Sequence, residues 1–205
     1  MVHERREHWN NIYKTTQICD VSWYQATPTT SLEFVKKLHI PYDAKIIDIG
    51  GGDSLFVDHL LELGYTDITV IDISEMAINR AKERLATKAS KVKWIIADVS
   101  DFEQEEQYDF WHDRAAFHFL THDKEIKNYL KTIQQSISPE GFLVMGTFAD
   151  DGPKKCSGLD IQQYSESTMT DMLSNNFQKI ECIKTEHITP TGSIQKFIFC
   201  SFKKL

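Results

Sequence analysis

The glycine turn at residues 48–54 constrains the fold of this chain more than any other stretch. Asp48-Ile49-Gly50-Gly51-Gly52-Asp53-Ser54 follows the apolar residues Ile46 and Ile47 and precedes a helical pattern from Leu55 to Leu63. A strand, a tight glycine turn and a helix start, in this order, are typical of doubly wound α/β folds that hold a nucleotide-like cofactor. The sequence therefore predicts such a fold, with the cofactor at this turn.

The chemistry of the turn indicates which cofactor it holds. A dinucleotide fingerprint G-x-G-x-x-G needs glycine at position 55, where this chain has Leu55. It also brings a pyrophosphate to the helix N-terminus, and Asp48 and Asp53 would repel that group. S-adenosylmethionine has no phosphate and carries a sulfonium and an ammonium, which carboxylates attract. We therefore predict a site for this methyl donor, with Asp48, Gly50 and Gly52 as cofactor contacts.

Composition narrows the class of protein. A chain of 205 residues can form a single α/β domain with a sizeable core. Its 30 acidic and 23 basic residues give a net charge of −7, so neither nucleic acid nor an anionic membrane is an expected partner. No signal-peptide pattern or membrane-spanning run is found, which favours a cytoplasmic location. The four cysteines are widely spaced and predict neither a zinc site nor a disulfide framework.

Strand and helix patterns alternate along the chain. Apolar periodicity predicts a long helix from Ile126 to Ile137, stopped by Pro139 and Gly141. Two β-rich runs flank the turn residues 190–192 near the C-terminus and predict a closing hairpin. The predicted strands are Ile46–Ile49, Ile68–Ile71, Val92–Ile96, Tyr108–Trp111, Phe142–Phe148, Ile180–Thr185 and Ile194–Phe202.

Five βα units, a terminal hairpin and the glycine turn together resemble the class I S-adenosylmethionine-dependent methyltransferases. The resemblance implies an α/β fold with a Rossmann-like, doubly wound sheet of seven strands. The expected strand order is 3-2-1-4-5-7-6, with strand 7 antiparallel. It also implies one domain over residues 1–205, in which residues 1–30 cover the cofactor and residues 31–205 form the core.

Two further carboxylates follow predicted strands. Asp72 ends the second strand, 22 residues after Gly50, where a carboxylate accepts hydrogen bonds from both ribose hydroxyls. Asp98 follows the third strand, where the family binds the adenine amino group. Ile73 and Val99 lie beside these acids and complete the predicted adenosine contacts. A turn or helix cap is the alternative role for each aspartate, but three acids at the ends of three successive strands favour a cofactor site.

The N-terminal segment carries a narrower resemblance. His8-Trp9-Asn10-Asn11-Ile12-Tyr13-Lys14, followed by Val21-Ser22-Trp23-Tyr24-Gln25, is similar to the opening of the elongation-factor and citrate synthase lysine methyltransferases. A similar tryptophan-rich opening occurs in thiopurine-type methyltransferases. The resemblance implies that Trp9, Tyr13 and Trp23 cover the bound cofactor. The alternative is that these aromatics only pack the first helix against the sheet, and both can hold together.

The stretch from Tyr108 to Leu120 matches the fourth strand of the family. Arg114 falls where the lysine methyltransferases have a lysine that contacts the cofactor, and it can pair with the methionine carboxylate. Asp113 occupies an acidic position of that group, and His118 matches a histidine of the wider family. Asp113 and His118 are the candidate catalytic residues, although a core histidine is the commoner role. A metal held by His118 and His122 lacks a third ligand, so no metal is expected.

The sequence constrains the methyl acceptor less than it constrains the cofactor. Methyl transfer needs an aligned and desolvated nucleophile, and a general base only when the acceptor arrives protonated. The loop 149–159 is the expected acceptor-facing segment. Within it Lys154 and Lys155 could lower the pKa of the Cys156 thiol, which would suit a thiol-reactive or metalloid acceptor. We expect a small-molecule acceptor; a protein lysine acceptor is the alternative, and an inactive cofactor-binding regulatory protein is the third possibility. The expected product is S-adenosylhomocysteine.

Overall fold

The computed structural model describes residues 2–102 and 106–205. Its strands are β1 (Lys45–Ile49), β2 (Asp67–Asp72), β3 (Val92–Ile96), β4 (Tyr108–Arg114), β5 (Ile137–Phe148), β6 (Lys155–Cys156), β7 (Leu159–Asp160), β8 (Phe177–Ile188) and β9 (Ile194–Lys204). Its α-helices are α1 (Val2–Thr15), α2 (Thr29–Lys37), α3 (Phe56–Leu63), α4 (Glu75–Leu85), α5 (Asp123–Ser136) and α6 (Glu166–Leu173). Short 3₁₀ turns lie at Ile18–Asp20, Ala86–Lys91, Val99–Asp101 and Phe117–Phe119.

Seven of the strands form one mixed sheet in the order β3-β2-β1-β4-β5-β9-β8. Strands β1 to β5 are parallel, and β9 runs antiparallel to both of its neighbours, β5 and β8. Because β8 and β9 are the sixth and seventh strands of this sheet, the predicted order and the antiparallel seventh strand are confirmed. The order reverses at β1, between β2 and β4. In an open α/β sheet this is where a crevice forms at the carboxyl ends of the strands.

The central strands form because they are apolar on both faces. Ile46, Ile47 and Ile49 of β1 are at most 1% exposed, as expected for a parallel strand covered by helices on both sides. Local signals set the adjoining helices. The Ser74 side chain accepts a hydrogen bond from the Ala77 N–H (3.2 Å) and caps α4, while α3 ends at Gly64 with φ of 98°.

The start of β5 differs from the prediction. Helix α5 ends at Ser136, and Ile137 already pairs with Tyr108 of β4, so Ile137 belongs to the strand. Pro139 and Gly141 therefore lie within β5 and do not stop a helix. A residue before proline favours an extended backbone, which is compatible with a strand here. A register shift between Tyr108 and Phe110 accommodates the irregular segment.

The expectation of unpaired cysteines is wrong for one pair. Cys182 of β8 lies directly opposite Cys200 of β9, with 4.1 Å between their Cα atoms, and the two form a disulfide. Cys19 and Cys156 are free. The pairing depends on the register of the β8–β9 hairpin, which cysteine spacing alone does not reveal.

None of the helices in the described ranges is both long enough and apolar enough to cross a membrane.

Candidate functional site

A cavity of about 100 Å³ lies at the carboxyl ends of β1 to β4, beneath α1. Nine of the eleven predicted cofactor contacts line it: Trp9, Tyr13, Trp23, Gly50, Asp72, Ile73, Asp98, Val99 and Arg114. The remaining lining residues are Arg5, Ile71, Ala97, Ala115, Ala116, Phe119, Leu120 and Cys156. The structure thus brings the strand-end acids, the glycine turn and the N-terminal aromatics together around one space.

Two glycines of the turn are required by space as well as by backbone conformation. Gly50 has φ of +62°, and a Cβ there would lie 2.7 Å from the Ala116 Cβ. Gly52 has φ of +31°, and a Cβ there would lie 2.5 Å from Asp72 Oδ2. Both conformations lie where side chains are strained. Gly52 is not a lining residue of the cavity, but its missing side chain leaves room for the Asp72 carboxylate.

Asp48 lies beneath the turn and is not among the lining residues. It is 2% exposed, and its Oδ1 lies 2.7 Å from His112 Nδ1. His112 Nε2 in turn lies 2.8 Å from the Ser31 hydroxyl of α2. Asp48, His112 and Ser31 are connected in the order of a hydrolase triad. However, Ser31 is 1% exposed and does not line the cavity. The geometry therefore gives Asp48 a role in joining β1 to β4 and α2, and does not support direct contact with a cofactor.

Asp72 and Asp98 present buried carboxylates to the cavity. Burial, opposed by the Ser74 N–H bond (2.7 Å), raises the pKa of Asp72 to about 7, with nearby Asp48 and Asp53 raising it further. Asp98 Oδ1 accepts hydrogen bonds from the N–H (2.9 Å) and hydroxyl (2.7 Å) of Ser100. In each aspartate the turn that follows therefore fixes Oδ1 and so orients Oδ2 of the same carboxylate.

Helix α1 closes the cavity with an aromatic cluster. The Trp9 ring centroid lies 5.0 Å from that of Phe119 and 5.7 Å from that of Trp23, both edge-to-face. Trp9 and Tyr13 are each 8% exposed. These aromatics line the cavity and pack against one another, so covering the site and anchoring the helix are both compatible with their positions.

Two arginines that the sequence analysis did not single out hold α1 in place. Arg5 donates hydrogen bonds to Asp98 Oδ2 (3.0 Å) and Glu125 Oε1 (2.6 Å). Arg80 of α4 donates to the carbonyls of Tyr13 (2.6 Å) and Thr16 (2.8 Å). Arg5 precedes Trp9 by four residues, so helical spacing could have placed it on the same face. Sequence carries no comparable signal for Arg80.

Arg114, the last residue of β4, is a buried cation at the cavity wall. Its Nη1 donates to the Trp23 carbonyl (3.1 Å), whereas its buried Nη2 has no hydrogen-bond partner among the residues that the structure describes. Burial lowers its pKa to about 10, so it stays charged at neutral pH. A second cavity of about 20 Å³ shares Arg114, Tyr13 and Trp23 with the first and reaches residues 53 and 54 of the glycine turn and the adjoining Leu55. A buried charge without an ionic partner is costly, so this position suits an anionic ligand group.

Asp113 lies behind the cavity wall. It is fully buried, accepts hydrogen bonds from the N–H groups of Ala116 (3.0 Å) and Phe117 (3.1 Å), and receives the Tyr129 hydroxyl. These bonds support the left-handed backbone of Ala115, whose φ is 67°. Burial raises the pKa of Asp113 to about 6. Asp113 shapes the turn that lines the cavity, and its placement does not support the predicted catalytic role.

His118 also does not line the cavity. It is fully buried, and its Nδ1 accepts the Phe148 N–H (3.3 Å). Burial, with a contribution from Arg114, lowers its pKa to about 3, so the ring is neutral. An imidazole with so low a pKa is a weak base, and His118 does not line the cavity, so the predicted general-base role has no geometric support. No group of three or more His, Cys, Asp or Glu in the described parts of the chain could hold a metal ion.

Cys156 of β6 reaches the cavity, but its thiol is not activated. Burial raises the pKa of this thiol above its usual value. Lys155 points to Asp160, with 3.1 Å between Nζ and Oδ1. The prediction that the lysines of this loop lower the pKa of Cys156 is therefore wrong, because desolvation outweighs any nearby positive charge.

The sequence and fold match known methyltransferases. The family described as "Methyltransferase domain" matches residues 46–141. EEF1A lysine methyltransferase 2 of Homo sapiens is 26% identical over 155 residues, which cover 68% of this chain and 66% of that protein. Nodulation protein S of Rhizobium tropici is 26% identical over 106 residues, which cover 52% of this chain and 44% of that protein. The chain thus spans less than two thirds of the length of either relative.

A solved structure shares the whole architecture. The N-methyltransferase NodS from Bradyrhizobium japonicum WM9, in complex with S-adenosyl-L-homocysteine, superposes with a TM-score of 0.70 at 16% identity, covering 95% of this chain and 97% of that one. Residues 46–141 carry a methyltransferase domain. The family and the cofactor predicted from the sequence are confirmed at the level of this domain class.

Proposed function

We propose that the protein is an enzyme that transfers a methyl group from S-adenosylmethionine to a small-molecule acceptor and leaves S-adenosylhomocysteine. The observation that carries the proposal is one cavity in which Asp72 and Asp98, at the ends of neighbouring strands, lie beside the Gly50 turn. This arrangement suits a ligand with a nucleoside at one end and a cationic amino-acid part at the other.

Each lining group has a role in this proposal. Asp72 accepts hydrogen bonds from the ribose hydroxyls, with Ile73 packed beside it. Asp98 and the backbone of Val99 bind the adenine amino edge. The buried, unpartnered Nη2 of Arg114 binds the methionine carboxylate. Residues 1–30 form the covering segment, in which Trp9, Tyr13 and Trp23 place aromatic rings over the sulfonium.

The residues of the cavity contribute alignment and exclusion of water. When bound, S-adenosylmethionine supplies the electrophilic methyl group. The aromatic cover keeps solvent from the reacting atoms, and the strand-end acids fix the donor so that the acceptor meets the methyl group in line. Burial raises the pKa of Tyr13 well above its usual value, so this hydroxyl stays protonated. This setting suits an acceptor that arrives as an uncharged or already deprotonated nucleophile.

The shape and charge of the acceptor side favour a small molecule over a lysine side chain. Leu159 of β7 packs on the aromatic cluster with Trp23, and Cys156 adds to the same wall, so this side is mainly apolar. The carboxylates of the described lining are Asp72 and Asp98, and both are assigned to the adenosine part. A lysine ammonium would therefore meet no counter-charge there. The similarity to the human lysine methyltransferase keeps the lysine acceptor as the second candidate.

Two measurements test the proposal. Calorimetry should show saturable binding of S-adenosylhomocysteine and none of NAD; the reverse pattern would refute the cofactor assignment. A cell extract incubated with the protein and methyl-labelled donor is then separated into protein and small-molecule fractions. We expect label in the small-molecule fraction. Label confined to protein would establish the lysine candidate, and binding without any transfer would identify an inactive, regulatory protein.

A further inference from the structure

Arg80, on α4, joins three elements around the cavity without being one of its lining residues. Its Nε lies 2.9 Å from Asp53 Oδ2 in the glycine turn. Its Nη1 donates to the carbonyls of Tyr13 (2.6 Å) and Thr16 (2.8 Å) at the end of α1. One guanidinium thus contacts the turn that holds the predicted cofactor and the helix that covers it.

The contact with the glycine turn neutralises a buried acid. The Asp53 side chain is 4% exposed, and the Arg80 side chain is 22% exposed. Arg84, one helical turn further along α4, forms a second ion pair with Asp53. A carboxylate this buried needs such partners to remain charged. Arg80 and Arg84 together therefore hold the turn that follows Gly52.

The contact with α1 completes the end of that helix. The last four carbonyls of an α-helix lack partners within the helix, and a cation near them is also favoured by the helix dipole. Arg80 supplies both the donors and the charge. Its guanidinium carbon also lies 5.9 Å from the centre of the Tyr13 ring, which lines the cavity. The position of Tyr13 over the site thus depends on a residue of α4.

We propose that Arg80 is a positioning residue that couples the glycine turn to closure of α1 over the cofactor. The proposal rests on the proposed function, because it assumes that the cavity binds S-adenosylmethionine. When a ligand stabilises the turn, Asp53 fixes Arg80, and Arg80 fixes the last turn of α1. The geometry of the guanidinium matters, since a lysine at position 80 could contact Asp53 but could not span the same set of acceptors.

Arg84 provides a matched control on the same helix. In the described parts of the chain its hydrogen bonds go to Asp53, to the Ser54 carbonyl and to Asp58 of α3. Arg84→Met therefore removes the same kind of charge from the same aspartate and leaves the end of α1 capped. A difference between Arg80→Met and Arg84→Met isolates the contact with α1.

The experiment combines binding and hydrogen exchange for the wild type, R80M, R80K and R84M. Calorimetry gives the affinity for S-adenosylhomocysteine, and amide exchange over residues 9–16 is measured with and without it. We expect R80M to weaken binding about tenfold, the order expected for lost charge-assisted hydrogen bonds, and to abolish the slowing of exchange in α1 that the ligand causes. R84M should keep that slowing, and R80K should bind with intermediate affinity.

The outcomes separate this inference from the proposed function. If the wild type does not bind S-adenosylhomocysteine, the proposed function fails. If the wild type binds and R80M keeps both the affinity and the ligand-dependent slowing in α1, the coupling role of Arg80 is refuted. Loss of the slowing in R84M to the same extent would also refute it, because the effect would then arise from Asp53 alone. Should R80M not fold, wild-type behaviour of R80K on both measurements would refute it equally.

Discussion

The buried carboxylate of Asp72 should make cofactor binding depend on pH. Its pKa is raised to about 7 by burial, so about a tenth of the molecules carry the ionised form at pH 6 and about nine tenths at pH 8. If the ribose hydroxyls donate to the carboxylate, binding selects the ionised form. The dissociation constant for S-adenosylhomocysteine should then fall about tenfold between pH 6 and pH 8.

Replacing Asp72 by Asn removes the titration and keeps an acceptor. A hydrogen bond to a charged group contributes about 1.5–3 kcal/mol and one to a neutral group about 0.5–1.5, so Asp72→Asn should cost about 1 kcal/mol of binding free energy at pH 8. The stability of the unliganded protein should change in the opposite sense. Because the pKa of Asp72 in the folded protein lies above the usual aspartate value of 3.8, wild-type stability falls as pH rises from about 4 through about 7, and the Asn variant should lack this loss.

Calorimetry in two buffers of different ionisation enthalpy measures the affinity for S-adenosylhomocysteine and the number of protons released on binding. Wild type should release about 0.9 proton on binding S-adenosylhomocysteine at pH 6 and about 0.1 at pH 8, as follows from a pKa near 7. Asp101→Asn is the control, because Asp101 is exposed and is not a lining residue. A wild-type affinity that is flat between pH 6 and pH 8, with no proton release, would refute the reasoning about Asp72.

Three further sets of variants test the geometry of the site. Gly52→Ala should abolish S-adenosylhomocysteine binding in calorimetry, because its Cβ would lie 2.5 Å from a carboxylate oxygen; Gly192→Ala, with φ of +82° and no neighbour within 4 Å, should cost about 1 kcal/mol of stability and no affinity. Double replacement of Trp9 and Trp23 by Ala should reduce affinity, measured by calorimetry, more than global stability, measured by thermal unfolding. If the double variant is unfolded and amide exchange in wild-type α1 does not respond to the ligand, the two tryptophans have a packing role only. Asp113→Ala should weaken binding and transfer, whereas Asp113→Asn should restore most of both, since its amide oxygen still accepts the N–H bonds of the turn. Equal loss of transfer in the two Asp113 variants would instead indicate a general base.

The fold was predictable where its signals are local. The β1 run, the glycine turn and the Ser74 cap lie within a few residues of one another, and each element they predict is present. The errors lie where structure depends on pairing between distant strands. The start of β5 is set by Ile137 against Tyr108, and the disulfide is set by Cys182 against Cys200. Hydrophobic periodicity within one segment carries no information about either pairing.

The end of the fourth strand decides where Asp113 and Arg114 lie relative to the cavity. The sequence predicts a fourth strand that ends at Trp111, so that Asp113 would lie two residues beyond the strand, as Asp98 lies two residues beyond the end of β3. Strand β4 instead continues to Arg114. Asp113 therefore lies inside the sheet, where both faces are covered, and Arg114 is the first residue of this strand to line the cavity.

The same distinction separates the other acids. Asp48 lies within β1 and is bonded to His112, whereas Asp72 is the last residue of β2 and Asp98 follows β3, and both line the cavity. An acid within a parallel strand is held by neighbours in the sheet, while one at or beyond the end has a carboxylate that can face a ligand. The sequence shows which residues are acidic. Whether an acid lies within a strand or beyond its end is decided by one or two positions, and these depend on where strand pairing stops. The recovery expected for Asp113→Asn follows directly from this placement, because an acid held within the sheet acts through the hydrogen bonds it accepts and not through its charge.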